Sequence, residues 1–502
     1  MNVRVRYAPS PTGLQHIGGV RTALFNYFFA KSMGGKFILR VEDTDRERFS
    51  EESLQDLYDT LSWLGIDWDE GPVKGGPYGP YVQSERSELY RKYADQLVDN
   101  GKAYHCFCTS ERLNDLREVQ KKEKKNYGYD RHCRNLSKEE VLEKQSKGLK
   151  SVIRLKVPLE GKTSFNDLIL GTVTRKNKDI SPDPVLLKSD GYPTYHLANV
   201  IDDHLMKISH ILRAQEWIPS GAMHILLYKA FGWDPPAYCH LPMVMGKDGQ
   251  KLSKRHGSTS VVDFRERGYL PEAIINYVTM VGWAYDDSRE FFTKEEFEKL
   301  FSLEKINKAP GVFDYKKLEW FNGQYIRKKS EVEIIEAVLP YLKKDGIISE
   351  DVSEKEMAII KNMMGFMTER LHFISDISEL SRFLFKDIDA YTLTDLIPKK
   401  MDFEGTLSVL RGIRSLVEDF ENRTDEENEV LFRQKSEEMA VKLGSLLMPL
   451  RVAISGSKVS PPIFESLRLL GSKKALERID TVIELLKDAV KNEIKNEENN
   501  GR

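Results

Sequence analysis

The sequence predicts an α/β first half built on parallel strands and an all-helical second half. Three observations predict it: a strand–helix–strand run at the start, a return of α/β patterning over residues 195–245, and helical periodicity from residue 330 onward. Val3 to Tyr7 reads as a short strand that ends in a turn-rich loop, Ala8-Pro9-Ser10-Pro11-Thr12-Gly13. Val20, Ala23, Leu24, Tyr27 and Phe28 then repeat at helical spacing, one apolar face, and Gly34-Gly35 closes that helix. Phe37 to Val41 reads as a second strand. Strand, helix and strand this close in sequence form a βαβ unit with parallel strands and a right-handed crossover.

Residues 50–65 follow as a helix, with Leu54, Leu57, Tyr58 and Leu61 on one side. Gly71 to Pro80 holds four Gly and three Pro and reads as a boundary loop. A mixed segment extends to about residue 190, with a basic helix (Lys121, Lys122, Lys124, Lys125) and strand-like runs at 152–157 and 184–187. Beyond residue 330 the pattern is helical, as in Ile334, Ile335, Val338 and Leu339, and the polar tail after Lys491 is expected to fray. This layout suggests a catalytic body with an appended recognition module.

The chain has 502 residues, enough for three to five domains and more than one core. Its charged fraction of 31% and apolar fraction of 40% fit a soluble protein, and neither a membrane span nor a secretory leader is visible. A net charge of −2 argues weakly against nucleic acid, yet a large enzyme has room for one basic face. Four cysteines (Cys106, Cys108, Cys133, Cys239) do not make a disulfide framework, and a reducing cytoplasm fits.

Two loops suggest chemistry. His16-Ile17-Gly18-Gly19 lies at the first strand-to-helix turn, where a helix N-terminus presents unpaired N–H groups and glycines admit a ligand to the backbone. Lys251-Leu252-Ser253-Lys254-Arg255 is flanked by Gly246, Gly249 and Gly257, a mobile basic loop suited to charge developing on a leaving pyrophosphate. Each loop taken alone favours the plainer reading, a helix-capping turn for the first and a solvated basic turn for the second. Neither a Walker A sequence nor a G-x-G-x-x-G fingerprint is present.

Together the two loops, more than two hundred residues apart, resemble the two signatures of class I aminoacyl-tRNA synthetases. Arg6 to Gly13, Arg40-Val41-Glu42-Asp43-Thr44-Asp45 and Gly191 to His204 narrow the resemblance to the bacterial-type glutamyl-tRNA synthetases. It runs over the whole chain, strongest in residues 3–46 and 190–257. The resemblance implies a Rossmann-like parallel-sheet catalytic domain with an inserted acceptor-binding domain and an all-helical C-terminal anticodon-binding region. The implied division is 1–79 and 195–245 for the catalytic halves, 80–194 for the insert, and 246–330 for a stem-contact domain with the lysine loop. Residues 331–502 form the helical region, with a possible subdivision near 395.

The implied reaction is ATP-dependent attachment of L-glutamate to its tRNA through glutamyl-adenylate, with Mg2+ carried by ATP. A glutamate pocket needs an anion for the ammonium and cations for two carboxylates, and Arg offers a planar fork to a carboxylate. By resemblance Glu42 holds the ammonium and Arg213 the side-chain carboxylate, with Arg6, Ala8, Ser10, Tyr195, Asn199 and Trp217 completing the pocket. ATP is assigned to Ser10, His16, Gly18, Gly19, Lys251, Ser253 and Lys254, of which His16, Lys251 and Lys254 are the catalytic set. The structural alternatives are a pairing of Arg6 with Asp43 or Asp45, and Tyr195 and Trp217 as core. The partners are tRNA(Glu), with tRNA(Gln) as a second candidate acceptor, and the protein is expected to be a cytoplasmic monomer.

Cys106, Cys108, Tyr129 and Cys133 suggest a structural Zn2+ site, since some relatives bind zinc here. Those relatives place His two residues after the last Cys, where this chain has Asn135; His105 and His132 are other candidates, and three metal-free thiols are the alternative. Four rival functions are a glutaminyl-tRNA synthetase with appended β-barrels, a shortened relative that glutamylates a tRNA base, a small-molecule nucleotidylyltransferase, and a synthetase-like RNA-binding paralogue without charging activity.

Overall fold

A computed structural model describes residues 2–125 and 127–500, apart from the side chains of Lys254 and of residues 494–500. The chain divides into two compact units, Met1–Arg265 with Pro271–Tyr315, and Glu266–Leu270 with Lys316–Arg502.

The first unit begins as the pattern predicts. Strand β1 (Arg4–Tyr7), helix α1 (Ile17–Ser32) and strand β2 (Lys36–Leu39) form a βαβ unit, with Arg4 opposite Lys36 and Tyr7 opposite Leu39 in parallel register. α1 is buried on more than the one predicted face: Phe25 and Phe29 are buried beside Leu24 and Phe28. The cause is packing on further sides of the helix: Phe25 packs on Phe301 at 5.2 Å between ring centroids and Phe29 on His210 at 5.1 Å.

Five short strands follow: β3 (Ala103–Cys106), β4 (Val152–Leu155), β5 (Lys162–Asp167), β6 (Gly171–Lys176) and β7 (Val185–Leu187). β3, β4 and β7 form a small antiparallel sheet. The basic helix spans Ser110–Lys122 and stops there. Lys124, at φ 53°, takes a left-handed backbone that ends the helix, so Lys124 and Lys125 lie beyond it.

Helix α2 (Tyr195–Leu205), strand β8 (His210–Ala214), helix α3 (Ile218–Phe231) and strand β9 (Ala237–Leu241) complete the sheet. β8 and β9 are parallel, with Arg213 opposite His240. The hairpin of β5 and β6 joins β9 through Asp167 opposite Tyr238, giving the order β6-β5-β9-β8. At the start of β8, Ser209 N donates to Arg4 O of β1 at 2.9 Å, and this links the two parts of the sheet.

In the second unit the described residues from 316 to 500 hold helices and no strand. Ser330, Ser353 and Thr424 each start a helix with a reciprocal capping box to Glu333, Glu356 and Glu427. Leu410, Ile413, Phe432, Leu450, Ile479 and Val482 belong to one buried core. The last helix runs Ser472–Asn500, so the backbone of the polar tail continues as helix where fraying was expected.

Candidate active site

A cleft of about 1340 Å³ opens in the first unit at the C-terminal ends of β1 and β8. It is lined by Arg6, Ala8, Ser10, His16, Gly18, Gly19, Glu42, Tyr195, Asn199, Arg213, Trp217, Lys251 and Ser253. The cleft therefore gathers every residue assigned to glutamate or ATP except Lys254, whose side chain lies outside the described residues. Open α/β sheets bind ligands at this end because loops and helix N-termini converge there.

At one end, His16 caps α1. Its Nδ1 accepts from Gly18 N at 3.1 Å and Gly19 N at 3.3 Å. A nitrogen that accepts carries no proton, so the ring is neutral and its Nε2–H is the donor left to the cleft. Burial, followed by the positive charge of Lys251, lowers the His16 pKa and holds the same state. Ile17 N is also satisfied, by Thr259 O at 2.9 Å. The expectation of unpaired helix amides here is thus corrected: they are already bonded, and the imidazole edge replaces them as donor. The glycines admit the cap. A Cβ on Gly18 would stand 3.1 Å from the His16 ring, and one on Gly19 3.0 Å from the Tyr7 hydroxyl.

The lysine loop reaches the same place. Val261 N donates to Gln15 O at 3.0 Å, which ties the segment after the loop to the His16 turn. Lys251 pairs with Glu216 on the exposed rim. Within the loop His256 Nε2 lies 3.0 Å from both carboxylate oxygens of Asp248, while its Nδ1 accepts from Ser253 N at 3.0 Å.

At the other end lies a buried charge network. Arg6 makes a two-point pair with Asp203 at 3.0 and 3.3 Å, so neither Asp43 nor Asp45 is its partner. Arg40, fully buried, contacts Asp203 at 2.7 Å and Glu42 at 3.0 Å, and Arg86 contacts Asp202 at 2.7 Å. Three arginines against Glu42, Asp202 and Asp203 balance in charge, which ions taken out of water require. Burial raises the Glu42 pKa, and the neighbouring Arg40 opposes that rise. With its amide turned, Asn199 donates to Asp203 at 3.3 Å and accepts from Arg40 at 3.1 Å.

Arg213 is buried at 5% exposure and points three of its donors at protein groups. Nε donates to His240 Nε2 at 3.0 Å, Nη1 to the Tyr195 hydroxyl at 3.2 Å, and Nη2 to Trp217 O at 3.3 Å. A guanidinium has five N–H groups, so two remain, one on each terminal nitrogen. The Tyr195 and Trp217 rings lie 4.6 Å apart, and Trp217 is 39% exposed, a cleft wall rather than core.

The cleft combines a buried cation with two spare donors, a buried carboxylate, and an imidazole and lysine at the far end. Comparison with known proteins decides the family. Residues 2–320 match the family model described as tRNA synthetases class I (E and Q), catalytic domain, and residues 333–483 match an anticodon binding domain. A glutamate–tRNA ligase of Borreliella burgdorferi is 56% identical over 487 residues, covering 97% of this chain and 99% of the relative. The chain belongs to the glutamate–tRNA ligase family. Another member, from Treponema denticola, is 53% identical over 503 residues, with 96% and 99% covered. Among solved structures, glutamate–tRNA synthetase from Elizabethkingia anophelis superposes with a TM-score of 0.82 at 36% identity, covering 96% of this chain and 100% of that one. The helical second unit also departs from the β-barrels expected of the glutaminyl rival.

Away from the cleft, the Cys106, Cys108 and Cys133 sulfurs lie within 4.8 Å of one another. Cys108 and Cys133 are 3.7 Å apart, close to the ~3.8 Å spacing of sulfurs bound about 2.3 Å from a tetrahedral zinc. The Tyr129 hydroxyl takes the fourth side, 3.3 Å from Cys106 Sγ and 3.7 Å from Cys108 Sγ. His105 instead faces Ser151 at 3.0 Å. The hydrogen bond between Cys106 and Cys133 lowers the Cys106 pKa and raises that of Cys133, so one thiol ionises well before the other. The three sulfurs are grouped closely enough to share a metal ion.

In this family member, Asp202, Asp203, Arg40 and Arg86 escaped assignment although three of them lie inside quoted strings, because charge complementarity needs contacts between distant residues. Asp167 and His240 carried no sequence signal.

Proposed function

We propose that this chain attaches L-glutamate to the 3′ end of tRNA(Glu) in two steps. The reading is carried by Arg213, a buried cation that lines the cleft and keeps two N–H donors uncommitted. The α-carboxylate of glutamate attacks the α-phosphorus of ATP, forming glutamyl-adenylate and releasing pyrophosphate. A ribose hydroxyl of the terminal adenosine then attacks the mixed anhydride and AMP leaves. No covalent enzyme intermediate is required; alignment and charge stabilisation suffice.

In this scheme Arg213 receives the γ-carboxylate and Glu42 the ammonium. Arg6, already bound to Asp203, contributes positive potential, while Ala8, Ser10, Tyr195, Asn199 and Trp217 shape the pocket. His16 Nε2–H and Lys251 meet the phosphates beside Ser10, Gly18, Gly19 and Ser253, and Lys254 is assigned to the developing pyrophosphate charge. Lys251 must exchange Glu216 for phosphate, an inexpensive step because both groups are exposed. ATP brings its Mg2+, held chiefly by phosphate oxygens.

The division into catalytic halves (1–79, 195–245), acceptor-binding insert (80–194), stem-contact domain (246–330) and anticodon-binding region (331–502) is part of the proposal. Zn2+ held by Cys106, Cys108, Tyr129 and Cys133 would brace the insert, with Arg154, 3.9 Å from the Tyr129 ring centre, offsetting negative charge. The four free cysteines agree with a reducing cytoplasm. Pyrophosphate exchange with and without tRNA tests the scheme. Glutamate-dependent exchange is expected; its absence under both conditions would leave the RNA-binding paralogue. Charging purified tRNA(Glu) and tRNA(Gln) separately measures acceptor breadth.

A further inference from the structure

Behind Arg213 stands a buried pair that the proposed scheme does not use. Asp167, at the end of β5, and His240, on β9, are both inaccessible at their side chains. Asp167 Oδ2 lies 2.7 Å from His240 Nδ1 and accepts from His240 N at 2.9 Å. Its Oδ1 accepts from Ile169 N and Leu170 N, both at 3.0 Å. That carboxylate is held below its ordinary range against the effect of burial, chiefly by the His240 hydrogen bond. Four donors thus converge on one ionised group, and the imidazole packs beside the Phe165 ring at 6.0 Å and the Tyr238 ring at 5.8 Å.

The tautomer follows. A carboxylate accepts only, so Nδ1 carries the proton and Nε2 is a bare lone pair. That lone pair is what Arg213 Nε–H meets at 3.0 Å. The opposite tautomer would set N–H against N–H, and protonation would set cation against cation. With Nε anchored, the guanidinium plane is fixed and its free edge is aimed by three protein acceptors.

We infer that Asp167 and His240 are positioning residues for amino-acid selection: they fix the imidazole tautomer that anchors Arg213 behind the carboxylate site. The inference rests on the reading of Arg213 as the γ-carboxylate partner. It also gives β5 a part in selection, because a strand from the 80–194 segment supplies the carboxylate that orders the pocket.

The test is a set of charging kinetics with glutamate and with glutamine. His240→Leu removes the acceptor and is expected to raise the glutamate KM by about ten- to a hundredfold, with kcat less affected. The glutamate preference should shrink by a similar factor while the KM for ATP holds. His240→Gln returns an oxygen acceptor and should recover most of the loss. In the Arg213→Gln background His240→Leu should add little. Ring ¹⁵N shifts of the wild-type protein, with His240 assigned by its loss in His240→Gln, should show the Nδ1–H tautomer whether or not His240→Leu folds.

Unchanged KM and selectivity in His240→Leu, with Arg213→Gln impaired, would overturn the inference and leave the Arg213 reading standing. Equal impairment in the Leu and Gln variants, or an Nε2–H tautomer, would overturn it too. An unimpaired Arg213→Gln would remove the Arg213 reading itself, and the inference with it.

Discussion

Replacing Arg213 by Gln tests how the cleft separates two amino acids of nearly equal shape. Glutamine and glutamate differ at one end by an amide against a carboxylate, so size discriminates poorly and charge must act. Arg213 spends three of its five N–H groups on His240, Tyr195 and Trp217 and keeps two for a ligand. Two charge-assisted hydrogen bonds at about 1.5–3 kcal/mol each sum to roughly 3–6 kcal/mol, or about 10²–10⁴ in kcat/KM for glutamate. Facing glutamine, the same fork meets an NH₂ donor and leaves its own donors short of acceptors, and such mismatches can separate substrates by about 10⁴ or more. Arg213→Gln should therefore raise the glutamate KM steeply, shrink the preference over glutamine and leave the ATP KM near its starting value. Arg213→Lys should also be poor, because it loses the anchor to His240 and the planar fork. Steady-state charging kinetics decide the matter. An unchanged glutamate KM and selectivity would make Arg213 structural and move the search to Arg6, although its pairing with Asp203 leaves it fewer free donors.

Lys254→Ala should fold yet slow glutamyl-adenylate formation about a hundred- to a thousandfold, the typical loss of one preorganised charge-stabilising group; a single-turnover rate within a few-fold of wild type would remove Lys254 from the chemistry. Protein purified without chelator should contain about one zinc per chain by elemental analysis, and Cys106→Ser should lose it; near-zero zinc at full activity would dismiss the site. Burial, then the charge of Arg213, lowers the His196 pKa from 6.5 to about 4, with His224 Nε2 at 3.0 Å from its Nδ1. The unfolded state therefore takes up a proton that the folded state refuses between pH 6.5 and about 4. This stability contribution is full above 6.5 and is lost as pH falls through that window. His196→Asn should flatten the acid side of the stability profile measured by denaturant midpoints, whereas an identical acid slope in the variant would contradict the shift.

What the sequence shows of the site depends on how locally the information is written. Ser10, His16, Glu42 and Asn199 fall in the short strings that carry the family resemblance, and all of them line the cleft. The pairing of Arg6 and Arg40 with Asp203 spans 197 and 163 residues, and no local pattern specifies which carboxylate answers which guanidinium. The donor state of the His16 turn was also illegible: a His-Ile-Gly-Gly string suggests open amides, and only the ring's orientation shows them capped. Asp167 looks like an ordinary turn residue until the β5 strand is added to β9. At the level of fold, alternation and period identify the βαβ unit and the helical unit, because each repeats within a few residues. α1 is more buried than its periodicity suggests because His210 and Phe301 arrive from far along the chain.

Transfer of labelled glutamate to tRNA is the most direct test of the account. With ATP and Mg2+, wild-type protein should attach glutamate to tRNA(Glu) as an alkali-labile ester, and periodate oxidation of the 3′-terminal ribose should abolish the labelling. Label that survives periodate treatment would place glutamate elsewhere on the RNA. No labelling of intact tRNA(Glu) by folded protein would contradict the account.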